Sequence, residues 1–320
     1  MRSVLSGGSV GTGDHSERRQ REPRDPGQPH STEPRASRPR ATTRREPSAG
    51  LRVRKLARGA DDGFSSPLAP GLKSSDDATR LADEIAFSVH RLSLMAADPV
   101  GLWAEAAAGA DLEERTWLTF LIAYVGAGDG PEGFASIGSA RVSWAAVAAG
   151  EDPRWGGVEA GPRGAFDPAR ASATIESYRA WAARAGGQAR AFAGEPSWTP
   201  ERRFERVFER LALPGMHRDA RFELLISLGR LGLYELRAGK LQLSGENEAT
   251  WAAKRAFGIA DPLLLERRAA DLADACETPL EALDLALHNW GSGRRCGVGI
   301  NPDLDGDEAT RERVKRALGL

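Results

Sequence analysis

The stretch TWLTFLIAYVG, residues 116–126, limits the fold more than any other part of this chain. It follows the acidic start Asp111-Leu-Glu-Glu, which suits the positive end of a helix, and is then apolar on nearly every face. A helix of that kind leaves no side for water, so other elements must surround it in a core. Residues 126–133, GAGDGPEG, end it with four glycines and a proline.

The rest of the chain supplies the covering helices. In SSDDATRLADEIAFSVHRLSLMAAD, Ser75 or Asp76 is placed to cap, Leu81, Ile85, Val89 and Leu92 recur at helical spacing, and Asp98-Pro99 marks a boundary. Residues 151–171 read as a Gly/Pro-rich linker or loop. Helical text resumes with ASATIESYRAWAARAGGQARAFAG, and Thr199-Pro200-Glu201 opens another helix with proline in its first turn. Further helices are predicted over RFERVFERLA, RDARFELLISLGRLGLYEL, ATWAAKRAFG, PLLLERRAADLADA, PLEALDLALHNWG and EATRERVKRALGL. Neither a long alternating strand nor an internal repeat is present. The prediction is an all-α protein, a compact bundle of about eight to ten helices with a helix-hairpin-helix unit.

Composition sets the outer limits. With 41% hydrophobic and 28% charged residues the chain can bury a sizeable core. Residues 1–74 are mostly Gly, Pro, Ser, Thr and Arg, too poor in large apolar side chains to offset chain entropy, and are predicted to be a disordered tail. That tail reads as a basic arm over nucleic acid, as a solvated segment, or as a start-site artefact. The helical domain is predicted over 75–300, with an acidic turn and final helix over 301–320. The net charge of −1 is not that of a simple basic nucleic-acid binder, although residues 1–60 carry excess Arg. Cys276 and Cys296 cannot build a disulfide framework or a metal site alone and read as reduced thiols. No apolar run reaches the roughly 18 residues a membrane span needs, and the N-terminus has no signal-peptide core, which points to a cytoplasmic protein.

The stretch LALPGMHRDARFELL, residues 211–225, has the outline of a helix-hairpin-helix unit, in which a glycine turn lets backbone N–H groups approach a phosphate. The same Pro-Gly turn also joins helices that touch no DNA. From LPGMHRDARFELLISLGRLG to GENEATWAAKRAFGI, and on to ALDLALHNWGSGRRC, the order of elements resembles the helix-hairpin-helix DNA glycosylase superfamily. Upstream, TWLTFLIAYVG resembles the apolar helix that opens that family's other half-domain. The resemblance spans about residues 75–300 as a pattern of elements, with Ala253-Lys254-Arg255 and Gly258 in family-like places.

Four departures shape what the resemblance implies. His217 stands where the family hairpin has its second glycine, and Asp219 stands where lyase-competent members carry a lysine. The family's catalytic Asp falls on or near Glu246, beside Asn247 and Glu248. No three cysteines follow Cys296, so no four-cysteine iron–sulfur cluster is expected. The branch with altered chemistry that these changes resemble is the alpha-glutamyl/putrescinyl thymine pyrophosphorylase group. That resemblance implies DNA as partner, a modified pyrimidine as target, and base transfer or excision without lyase activity or cofactor. A target base would be turned out of the duplex into a cleft between halves at 75–150 and 204–290, with 172–203 crossing between them.

The candidate catalytic residues are Glu246, Glu248 and His288, and the candidate nucleic-acid contacts are Gly215, Met216, His217, Arg218, Arg221, Arg294 and Arg295. Each has a plainer reading. Glu246 and Glu248 suit a helix N-terminus on electrostatic grounds alone. Arg218 and Arg221 can pair with Glu223 or Asp219, and His288 with Trp290 can serve a helix end and the core. Trp144, Trp155, Tyr178, Trp181 and Trp198 are core residues by default and base-pocket walls otherwise. In NPDLDGDEATRE, Asn301, Asp303, Asp305, Gly306 and Glu312 fall at calcium-loop positions, but Asn in first place and Glu308 in the usually apolar eighth favour a turn and N-cap over calcium. Two further readings stay open: a non-catalytic helix-hairpin-helix DNA-binding module, and a helical protein that binds no nucleic acid.

Overall fold

The computed structural model describes residues 59–320; the greater part of the predicted tail, 1–58, lies outside the described residues. Among the described residues the chain is all α, with thirteen α-helices, a 3₁₀ turn at Pro131–Phe134 and no strand. In order these are α1 (Ser75–Ala97), α2 (Leu102–Ala108), α3 (Leu112–Val125), α4 (Ala135–Ala140), α5 (Trp144–Ala148), α6 (Ala171–Ala185), α7 (Gln188–Ala193), α8 (Pro200–Arg210), α9 (Arg218–Arg230), α10 (Glu248–Phe257), α11 (Pro262–Ala275), α12 (Ala282–Ser292) and α13 (Glu308–Leu318). The expectation of eight to ten falls short because α2, α4, α5 and α7 are each about two turns or less, too short to show a helical period in sequence.

The apolar segment is the central helix. Every residue of α3 from Thr116 to Val125 is buried, and Asp111 caps its start by accepting the Glu113 N–H at 2.9 Å. Trp117 and Phe120 stack with Tyr178 of α6, the Phe120–Tyr178 centroids lying 3.8 Å apart, and Trp144 and Trp181 join the same aromatic cluster. Trp155 packs on Tyr124 and Phe166. Trp198 stands over Gly194, with Arg202 and Arg210 against its ring. All five candidate wall aromatics therefore have packing roles.

Order begins earlier than residue 75. Ala69 and Leu72 are in the core, the Gly71 N–H donates to the Ala256 carbonyl at 2.9 Å, and Ser74 rather than Ser75 or Asp76 caps α1. Helix α9 ends at Arg230 rather than near Leu236, because the chain reverses at Gly232 (φ +69°) and the Leu236 carbonyl closes against Gly229, where a side chain would collide. At the other end, α13 buries Val314 and Leu318 and packs on α1, so residues 301–320 belong to the same body. Asp307 caps α13 through the Thr310 N–H at 2.7 Å, and Asn301 accepts the Asp303 N–H at 3.0 Å, the turn and cap read from the sequence.

The segment 151–170 is more than a linker. The last carbonyls of a helix lack partners within it, and here loop amides supply them: Gly161 donates to Val125, and Ala165 and Phe166 donate to Tyr124. Backbone meets backbone at this seam, and a Cβ on Gly164 would overlap the Val125 carbonyl. Arg163, held between the two glycines of Gly161-Pro-Arg-Gly164, turns inward and is 3% exposed.

Arg163 joins a buried row of alternating charges. Arg91 of α1 pairs with Glu223 of α9; Arg163 lies 3.9 Å from Glu223 and pairs with Asp284 of α12; Arg218 of α9 pairs with Asp284 and with Asp219. Ser227 also donates to Glu223, at 3.3 Å. Leaving one buried charge without its opposite is expensive. Glu223→Gln is expected to lower stability by about 3–5 kcal/mol, seen as a lower urea midpoint at constant m. A loss below about 1 kcal/mol would mean that the pair is relaxed by solvent.

Candidate functional site

A cleft of about 850 Å³ opens where the Arg163 loop, the start of α9, the segment before α10 and the end of α12 meet. No residue before Pro162 lines it, so it does not lie between halves at 75–150 and 204–290 as expected. Its walls are two helix starts, α9 and α10, and the glycine-rich turn after α12.

Helix packing explains this meeting point. Gly291 of α12 lets α10 come close; a Cβ there would lie 2.8 Å from the Ala252 Cβ and 3.2 Å from Glu248 Oε1. The remaining residues of His288-Asn-Trp-Gly291 divide the work around it. Trp290 donates to the Asp77 carbonyl at 2.9 Å under the Arg255 guanidinium, and Asn289 accepts the Cys296 N–H at 3.0 Å, fixing the turn beyond α12. His288 faces the cleft.

The deepest lining residues, judged by burial, are Arg163, Cys296, Arg218 and His288, with the Asp219 side chain 17% exposed. Burial opposes a charge on His288, and with Arg163 and Arg218 it outweighs Asp219 and Asp284, pushing the imidazole down to about 4. Its Nδ1 is buried without a hydrogen bond. Burial also opposes ionisation of Asp219, yet Arg163 and Arg218 hold its carboxyl below the usual value. Burial pushes the Cys296 thiol up, so it is not an activated nucleophile.

The candidate catalytic residues all line this one cleft. Glu246 is exposed on the approach to α10, and Glu248 is half-buried in its first turn. Neither forms an ion pair among the described residues; Asn247 is the cap, accepting the Thr250 N–H at 2.9 Å. Of the predicted nucleic-acid contacts, His217, Arg221 and Arg294 stand on the lining with Arg218. Arg294 is 79% exposed and 3.5 Å from Asp129. Arg221 lies over the Phe208 ring and donates to the Phe208 carbonyl at 3.1 Å, leaving Nε unbonded.

Four of those contacts are used by the fold. Arg218 is buried, and its N–H groups go to Asp219, Asp284 and the Leu241 and Gln242 carbonyls. Arg295 is off the cleft, paired with Glu84 and set over Phe87. Met216 is buried. Gly215 has φ +79°, and a Cβ there would overlap the Thr174 hydroxyl, so the close approach this glycine allows is to α6.

Arg163, Asp219 and Asp284 were not among the sequence candidates. Asp284 does leave a trace, as a lone carboxylate in the apolar run ALDLALHNWG. Among the described residues no cluster of His, Cys, Asp and Glu is arranged to hold a metal, and no helix is long and apolar enough to cross a membrane. Comparison with family models, curated proteins and solved structures finds no match for this chain.

Two outcomes are expected. Gly215→Ala should cost about 1–3 kcal/mol through positive φ and the Thr174 overlap, with Thr174→Ala restoring part of it; equal melting temperatures for Gly215→Ala and wild type would contradict this. A histidine whose pKa is depressed in the folded state destabilises that state where only the unfolded chain binds the proton. Stability should therefore fall as pH drops from about 6.5 to about 4, by on the order of 3 kcal/mol, with Asp219 contributing only below that window. His288→Gln should remove the component between those limits in urea titrations at stepped pH; an unchanged slope would argue against a buried neutral imidazole.

Proposed function

We propose that this chain is a DNA-base-processing enzyme that receives a modified pyrimidine, turned out of the strand, in the cleft between α9, α10 and α12. The observation that carries the reading is the sorting of charge in that cleft. The cation Arg294 and His217 are exposed on the lining with the half-buried cation Arg221, while an ionised carboxylate, Asp219, and a buried neutral imidazole, His288, share the same cleft. A strand following the rim would place phosphates near the arginines and a base near Asp219 and His288. Glu246 and Glu248 border the same space.

The chemistry that fits is base transfer or excision without lyase activity. Lyase chemistry needs an amine nucleophile, and the described cleft is lined by none. A purely DNA-binding hairpin is less well supported, because Gly215 is committed to Thr174, and because the cleft holds buried polar atoms without a hydrogen bond among the described residues, His288 Nδ1 and Arg221 Nε.

The full chain should bind duplex DNA containing 5-hydroxymethyluracil in fluorescence anisotropy, with affinity falling as salt rises. Arg221→Ala with Arg294→Ala should reduce the log–log salt slope by about 2. Chromatography of the digested DNA, run with and without prior diphosphate activation and an added amine, should show a lost or altered base. Absence of both salt-dependent binding and any base change would overturn the proposal.

A further inference from the structure

The cleft offers three carboxylates, and they are not equivalent. Glu246 and Glu248 are free of ion pairs, one exposed and one half-buried, on the approach to α10. Neither carboxylate accepts a side-chain or backbone hydrogen bond from another segment among the described residues. Asp219 is different: its Oδ1 accepts Arg218 Nη1 at 3.0 Å, while Oδ2 accepts no hydrogen bond among the described residues. The carboxylate is thus held by one oxygen and offers the other on the lining.

The cations behind it are committed to the protein. Arg218 is bound to Asp284 and to the Leu241 and Gln242 carbonyls, and Arg163 is bound to Asp284, so neither can swing out to meet a ligand. Arg218 fixes Asp219 in place through its hydrogen bond to Oδ1. From this geometry we infer that Asp219 is the catalytic carboxylate of the proposed reaction, set to face the positive charge that develops on the substrate's reacting carbon. The inference rests on the base-processing reading and names the residue that performs it, in preference to Glu246 and Glu248.

The charge balance of either reaction calls for such a group. In excision the bond from sugar C1′ to the base nitrogen breaks and its electron pair leaves with the base, which takes a proton from solvent. In transfer the bond from the base's 5-methylene carbon to its diphosphate oxygen breaks and the pair leaves with that oxygen. Either carbon is left electron-poor until water or an amine bonds to it and gives its surplus proton to solvent. A fixed anion stabilises that stage, and one already in place needs no reorganisation. Arg163 and Arg218 keep Asp219 ionised through neutral pH despite burial, which suits a counter-charge and makes it a poor proton donor. His288, uncharged beside it, adds no competing cation.

Two matched pairs of DNA test this on the full chain by anisotropy at low salt. One carries a cationic pyrrolidine abasic site against its neutral tetrahydrofuran counterpart, and the other 5-aminomethyluracil against 5-hydroxymethyluracil. Wild type should favour the charged member of one pair by about tenfold or more, the first pair if the sugar bond breaks and the second if the methylene bond breaks. Asp219→Asn, which keeps an oxygen for Arg218, should bring that ratio to within about twofold while leaving the neutral member's affinity nearly unchanged. Should Asp219→Asn melt well below wild type, Asp219→Ser replaces it. Glu246→Gln with Glu248→Gln should keep the preference. Equal binding within both pairs by wild type, or a preference lost with the two glutamates and retained in Asp219→Asn, overturns the inference and leaves the base-processing reading in place. Failure of every probe to bind overturns both.

Discussion

The row Arg91, Glu223, Arg163, Asp284, Arg218, Asp219 is the interaction on which the rest of the structure depends. It passes through α1, α9, the 161–164 loop and α12, and no two charges of one sign are paired along it. Ion pairs of this depth add little net stability over an apolar core. What they add is position: each charge is tolerable only where its neighbours are, so the helices that carry them have one mutual arrangement.

The cleft is the exposed end of that row. Asp219 closes the sequence of charges and is also the carboxylate on the lining, so the packing that holds the helices together also sets the electrostatics of the site. This explains why Arg218 is engaged inside the protein although it follows the hairpin directly. It also accounts for His288, which stays uncharged because it is buried and because the arginines nearby are already there.

The parts of this arrangement that depend on local periodicity are legible in sequence. The central helix is visible in TWLTFLIAYVG, the Asp307 cap in its spacing from Thr310, and the long helices in their apolar repeats. Glu246, Glu248 and His288 could be chosen because each sits at a helix start or end, and all three reach the cleft. Partnerships between distant segments are not legible. Nothing around Gly215 announces Thr174, 41 positions earlier, and nothing around Arg163 announces Asp284, 121 positions later. Asp284 is the exception, because a single acid within an apolar helix has to meet a cation somewhere. The count of helices was low for the same reason that short helices are hard to see: they are held by contacts rather than by their own sequence.

The seam between α3 and the Arg163 loop has a consequence for motion. Because the amides of Gly161, Ala165 and Phe166 terminate the central helix, the inner part of the cleft can loosen only if the end of that helix loosens too. The outer part has no such tether, since Glu246 and Arg294 stand on exposed turns. Rigidity and compliance are thereby separated by depth: a ligand meets adaptable side chains first and an unyielding shape last, so selection among similar ligands falls to the part that cannot adjust.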